Sequence, residues 1–243
     1  KVFALNWTNK LQSIEKNLCM WSKANMTIFE KVNFLKTFAV SKIIFQATML
    51  TVPASVLKKL NSMCFQFLWG KKDRIARLLC YNSIEDGGLN MKKLDVFFAS
   101  LKASWVPRII NNGGKWKAGI ELVARKMNVT LDYLFKMNFT NPNFINDATG
   151  MQQNEFYIDI LCAFNNSKTI RKIENMNPSD IINEPLWGNK MFMYRGKALF
   201  FKQWIKEGVL YVKDIVSDGK IMEDTEIFSM ITCKNRIIQE AFM

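Results

Sequence analysis

Histidine is absent from all 243 residues. Without an imidazole, Ser-His-Asp and Cys-His nucleophilic arrangements are impossible, and so is any histidine-ligated metal site. Cysteine offers no substitute. The five thiols, Cys19, Cys64, Cys80, Cys162 and Cys233, are odd in number, widely spaced and without a CxxC pair, which excludes a zinc knuckle or finger. They read as reduced thiols, mostly buried in apolar runs of an intracellular protein. Neither GxxxxGK[ST] nor GxGxxG occurs, so no loop is patterned to cradle a nucleotide, and no cofactor or metal is expected.

A signal-peptide pattern is also missing. The most apolar run, Phe38 to Pro53, contains Lys42 and is too short to cross a bilayer. The expected location is intracellular, nuclear or cytoplasmic and not secreted, with no membrane partner, and the sequons at Asn6, Asn25, Asn128, Asn138 and Asn165 are expected to stay unused. The first residue is Lys1 rather than methionine, and the expectation is a piece of a longer product.

Acid is scarce in one half only. Residues 1–118 carry 19 Lys and Arg against 6 Asp and Glu, a net of +13, whereas residues 119–243 carry 15 against 15. An excess confined to one half points to a domain that faces a polyanion, most often nucleic acid; the alternative is a solvated lysine-rich surface. Arginine is sparse, 7 against 27 lysines. Reading of base edges, which relies on the bidentate guanidinium, is therefore poorly supported.

Apolar residues make up 49% of the chain, enough for a packed core, and their spacing is helical. Trp7, Leu11, Ile14, Leu18 and Trp21 step by four and three along a first helix. Thr27 and Glu30 form a capping-box pattern that opens a second, striped by Ile28, Val32, Leu35, Ala39 and Ile43. Pro53 starts a third, with Leu57, Leu60, Cys64, Phe67 and Leu68 on its stripe and a stop at Gly70. Leu94, Phe98, Leu101, Trp105 and Ile109 continue the pattern, with Pro107 expected to kink or end that helix. The fold class is mainly α: an N-terminal helical bundle over residues 1–115, then a second, mostly helical region over 116–243 with a β-hairpin near 191–201 turning at Arg195-Gly196. NNGGKWK, from Asn111, is the expected linker. Asn141, Pro142 and Asn143 punctuate the weaker helical patterns between Ile120 and Ala163.

Acidic pairs carry little chemistry. Glu85-Asp86 sits in a turn and Glu223-Asp224 at a helix start, both read as solvated caps; a nuclease using Glu85, Asp86 and Asp95 is the enzymatic alternative. The notable concentration is basic. Lys71, Lys72, Arg74 and Arg77 follow the third helix, and Lys92 and Lys93 lie beyond the Asp86-Gly87-Gly88 turn, six cations that can meet phosphates from two sides of a groove. Trp69 beside them reads as core or as a base-stacking ring. The aromatic stretch from Trp187 to Trp204 reads as core or as a protein-interaction surface.

Taken in order, Trp21, NMTIFEKVNFLKTFAVSKI, VPASVLKKLNSMCFQFLWGKK and EDGGLNMKKLDVFFASLKASW resemble the segment that follows the polymerase palm in LINE-type (non-LTR) retrotransposon reverse transcriptases. Trp21, Thr27, Lys31, Lys36, Pro53, Phe67, Leu68, Trp69, Gly87, Gly88 and Leu89 fall on that pattern. Glu30 replaces its usual glycine and Pro107 interrupts a helix that normally continues. Downstream, EPLWGNKMFMYRGKALFFKQWIKEGVLYVKDIVSDGK is similar to a later region of the same proteins, with Pro185, Leu186, Trp187, Gly196, Phe200, Trp204, Gly208, Asp214 and Gly219 in step. The likeness spans most of the chain and is weakest from about residue 119 to 154.

The resemblance implies a thumb, a helical bundle that holds template and growing strand, followed by a connecting region. It adds Lys31 and Lys36 to the candidate nucleic-acid contacts. The implied partners are RNA or an RNA–DNA duplex, bound non-specifically, and an upstream polymerase palm. The palm's Tyr/Phe-x-Asp-Asp signature, the endonuclease and the terminal cysteine-histidine element have no counterpart in this sequence, so the expected fragment is not itself an enzyme, although its parent would be an RNA-directed DNA polymerase. An inert remnant of a truncated element is the alternative.

Overall fold

A computed structural model describes residues 4–70, 72–112, 114–139, 143–150, 155–168 and 176–230, and these are mainly helical with two short antiparallel hairpins. Lys71, Gly113, Asn141, Pro142 and Cys233 lie outside the described residues. The chain divides into two compact units, Lys1–Ser104 and Trp105–Met243, each with its own apolar cluster.

In the first unit a π-helical turn, Ala4–Thr8, leads into α1 (Asn9–Trp21), which buries Leu11, Ile14 and Leu18 together with Trp7. Trp21, expected on that stripe, is 44% exposed because the helix closes there, with Ser22 N donating to Leu18 O at 2.9 Å. The capping box is present in both directions. Thr27 N donates to Glu30 Oε2 at 2.7 Å, and Glu30 N donates to Thr27 Oγ1 at 3.3 Å. These bonds hold the Glu30 carboxyl below its usual range.

Behind the cap, α2 (Ile28–Phe34), a π-helical stretch (Leu35–Val40) and α3 (Ser41–Met49) run on from one another. Their buried positions Leu35, Ala39, Ile43 and Ala47 step by four. At 3.6 residues per turn each such step drifts about 40° off the core. A wider i→i+5 turn drifts the other way and returns the stripe to its partner. Helix α4 (Ala54–Trp69) is capped by Pro53 and stopped at Gly70, whose φ is +81°. It buries Val56, Leu60, Cys64, Phe65, Phe67 and Leu68 and packs on α1 and α2. A short α5 (Arg77–Cys80) precedes α6 (Leu94–Ala103), which lies against α3 and α4.

The helical stripe expected to run from Leu94 through Ile109 is two helices. Helix α6 ends at Ala103, and α7 (Trp105–Asn112) begins with Pro107 in its first turn. A proline ring collides with the carbonyl four residues earlier, here that of Ala103, while its missing N–H costs nothing in a first turn. Trp105 packs tilted against Trp116 and edge-on against Phe156, and Val106 and Ile109 are buried in the second core, so the division falls earlier than the boundary read near residue 115. The NNGGKWK stretch spans the end of α7 and the start of α8 (Gly114–Met127).

The second unit continues with α9 (Leu131–Lys136), α10 (Phe144–Thr149), α11 (Glu155–Ser167) and α12 (Pro178–Ile182). The expected hairpin is β1 (Met193–Tyr194) with β2 (Lys197–Ala198), turning at Arg195-Gly196. After α13 (Lys202–Lys206) and a 3-10 turn (Val212–Ile215), β3 (Val216–Ser217) pairs with β4 (Lys220–Ile221) and α14 (Asp224–Met230) follows. Trp187 and Trp204 are fully buried, their rings 5.4 Å apart and edge-on, which settles both as core. The indole N–H of Trp187 donates to Val209 O at 2.7 Å. The Tyr133 hydroxyl donates to Leu210 O at 2.7 Å and accepts from Trp187 N at 3.1 Å, fastening α9 to this segment.

Candidate nucleic-acid interface

The basic residues of the first unit are placed by a backbone clasp between α5 and α6. Gly88 N donates to Ser83 O at 2.8 Å, Asn90 N to Asn82 O at 2.8 Å and Met91 N to Cys80 O at 2.9 Å. Two glycines make this closure possible for different reasons. Gly87 takes φ +73°, and a Cβ on Gly88 would sit 2.3 Å from Asn82 O. The clasp returns the chain to the end of α5, so the segment 72–77 and the pair Lys92, Lys93 leave from its two ends. Tyr81 marks the junction. Burial pushes its phenol up, Asp95 adds to the rise and Arg77 opposes it, so groups from both arms face one ring.

Each candidate has a definite setting. Lys72 and Arg74 are exposed, with no ion-pair partner among the described residues. Arg77 is held by Asp73 at 2.7 Å and lies over the Phe65 ring at 4.5 Å. Lys92 lies over Phe97 at 4.2 Å, and Lys93 is 3.9 Å from Asp95. The Lys36 ammonium is shifted below its usual pKa by burial and by the neighbouring Lys92, so the structure brings these two together. Lys31 stands apart. It lies 5.9 Å from the Phe67 ring, and Phe65 and Phe67 point about 200° apart around α4.

Counted from the sequence, residues 1–104 hold 16 Lys and Arg against 6 Asp and Glu, a net of +10. The ion pairs Lys59–Glu15, Arg77–Asp73 and Lys93–Asp95 each use an acid of the same unit. Exposed pairs of this kind hold side chains in place more than they stabilise. No family model, curated protein or solved structure matches the chain. The local chemistry therefore carries the functional reading.

The acids do not assemble. Asp86 is engaged in its own turn, accepting from Ser83 Oγ at 2.7 Å, and Asp95 faces Lys93. Among the described residues no three Cys, Asp or Glu side chains converge as metal ligands. Trp69 is half-buried against the N-terminal core. Sequence reasoning missed an array of rings at the junction of α1 and α2. Phe34 is 5.3 Å from Trp21, 4.8 Å from Phe38 in a stacked arrangement, and 5.5 Å from Phe67. Helical periodicity assigned Trp21 inward and gave Phe38 no role, because exposure at a helix end depends on what packs there.

Proposed function

We propose that the chain is a thumb-like helical bundle with its connecting region, from a LINE-type reverse transcriptase, and that it holds an RNA template or RNA–DNA duplex by its sugar-phosphate backbone. The observation that supports this most is the clasp closed by Gly87 and Gly88, which sets cations on both sides of one junction in a unit of net charge +10. Lysine ammoniums on flexible stems neutralise phosphates and position a duplex without reading its bases. The departures from the family pattern are absorbed locally: Glu30 completes a helix cap and Pro107 opens a helix. That favours a folded, binding-competent unit over a decayed remnant.

Polymerisation belongs, in this reading, to an upstream palm, and the fragment binds without catalysis. Non-specific affinity of roughly micromolar to 100 micromolar at physiological salt is expected. Fluorescence anisotropy with an RNA–DNA hybrid tests it. Changing Lys71, Lys72, Arg74 and Arg77 together to glutamine lowers affinity to a similar degree for hybrids of unrelated sequence. Unchanged affinity in that variant rules the assignment out, and no measurable binding by the unaltered chain leaves the inert-remnant alternative.

A further inference from the structure

We propose that Trp21, Phe34 and Phe38 form a stacking platform for unpaired bases of a nucleic-acid strand. This deepens the backbone-holding function above and rests on it. Trp21 is 44% exposed and Phe38 52% exposed, while Phe34 between them is buried and is backed by Phe67. Each outer ring is therefore supported on one side and open to water on the other. Such support fixes the rings before a ligand arrives, so little rotamer freedom is left to lose on binding.

The surroundings specify the occupant. Lys31 lies 5.9 Å from the Phe67 ring that backs Phe34, and the one acid of residues 28–49 is Glu30. The Glu30 carboxylate is turned back into the helix cap, accepting from both Thr27 N and Thr27 Oγ1. Lys23, two residues beyond Trp21, is exposed, as are Thr37 and Ser41 beside Phe38. Flat π-faces bordered by cations and hydroxyls match a polyanion that carries flat rings, which is a single strand of RNA or DNA. Every base has a π-face, so such a platform is tolerant of sequence, in keeping with the scarcity of arginine. A duplex, whose bases are already stacked, gains only the backbone contacts.

The test compares the full chain on oligo(dT), on an abasic deoxyribose-phosphate strand of equal length, and on a blunt RNA–DNA hybrid. Tighter binding of oligo(dT) than of the abasic strand, by about tenfold or more, is expected. Phe38→Leu removes most of that difference and leaves the abasic strand and the hybrid as before, whereas Phe38→Trp retains it. Circular dichroism checks that both variants are folded. Equal affinity for oligo(dT) and the abasic strand overturns the proposal, as does a Phe38→Leu loss that is the same on both strands. Failure of the underlying reading has a different signature: neither the abasic strand nor the hybrid then binds.

Discussion

Replacing Gly88 with alanine tests the clasp on which the candidate interface depends. The added Cβ would lie 2.3 Å from Asn82 O, 2.5 Å from Asn82 C and 2.6 Å from Asn82 Cβ. Two of these atoms are backbone, so the strain cannot be relieved by a rotamer change, and forced overpacking of this kind costs about 1–3 kcal/mol. Moving Asn82 away also strains its bond from Asn90 N and the bond from Gly88 N to Ser83 O, both 2.8 Å, each worth about 1 kcal/mol. The sum is about 3–5 kcal/mol. For a unit of this size it lowers the thermal midpoint by roughly 10 °C or more. Gly87→Ala is the internal comparison. Its Cβ meets nothing within 4 Å but must adopt φ +73°, a penalty of about 1–2 kcal/mol. Differential scanning calorimetry of both variants, paired with hybrid-binding titrations, is the assay. Gly88→Ala is expected to be the less stable of the two and to lose affinity, because the two basic arms separate. A Gly88→Ala protein with the parent's midpoint and affinity refutes the reasoning.

Two further outcomes follow from buried groups. Lys168 donates to Phe135 O at 2.5 Å and Met137 O at 2.6 Å, and burial, reinforced by Lys190 and opposed by Glu184, brings its pKa down to about 8. The unfolded chain keeps that proton up to its ordinary value of 10.5, so between these values the unfolded state binds more protons at this site and its contribution to stability rises with pH. A neutral amine still has N–H donors for both carbonyls. Because the raised thiols Cys64 and Cys162 act in the opposite sense above pH 9, the readout is the difference between parent and Lys168→Met in denaturant unfolding. The parent should gain on the variant as pH rises through that window, and the variant should lose about 1–3 kcal/mol for the stranded carbonyls; a difference that does not change with pH counts against the assignment. Among the described thiols, Cys19 is exposed, whereas burial pushes Cys64 up to about 12 and, together with Asp159, Cys162 up to about 11. Maleimide labelling read by peptide mass mapping should modify Cys19 first and Cys64 last; equal rates for these two contradict the buried setting of α4.

Much of the helical frame was legible because its signals are local. The span from Pro53 to Gly70, the Thr27–Glu30 cap and the Arg195-Gly196 hairpin are written in residue types that act on their own backbone. The π-helical stretch Leu35–Val40 was not, since a 3.6-residue template records a run of four-residue steps as a weak helix rather than as a wider turn. The second hairpin escaped notice although Asp218-Gly219 is a turn signal, because its strands, Val216–Ser217 and Lys220–Ile221, lack the aromatic runs that flank Arg195-Gly196. Cys19 was grouped with buried thiols and is exposed, lining an open groove between α1 and the end of α4 with Met63 and Gln66.

For the candidate site, the sequence supplied the basic residues and the glycine pair but not their arrangement. The clasp is made of backbone bonds from Gly88, Asn90 and Met91, and only the glycines leave a trace in residue type. Lys31 and Arg77 were both candidate nucleic-acid contacts, yet they lie over different rings of α4, Phe67 and Phe65. Which cations share a surface is decided by tertiary packing, and a linear pattern carries no record of it. The ring array needed four segments, the end of α1, α2, the π-helical stretch and α4, to come together before Trp21 and Phe38 could be seen as neighbours through Phe34.

The most direct measurement is the salt dependence of hybrid binding by the full chain. Each phosphate contact contributes about −0.9 to the slope of log affinity against log salt, so engagement of several of the six described cations at or beside the clasp gives a slope between about −3 and −5. The account predicts a slope in that range, made shallower by the Lys71, Lys72, Arg74 and Arg77 to glutamine changes and insensitive to the hybrid's sequence. A slope near zero, or one that the four substitutions leave unaltered, contradicts it.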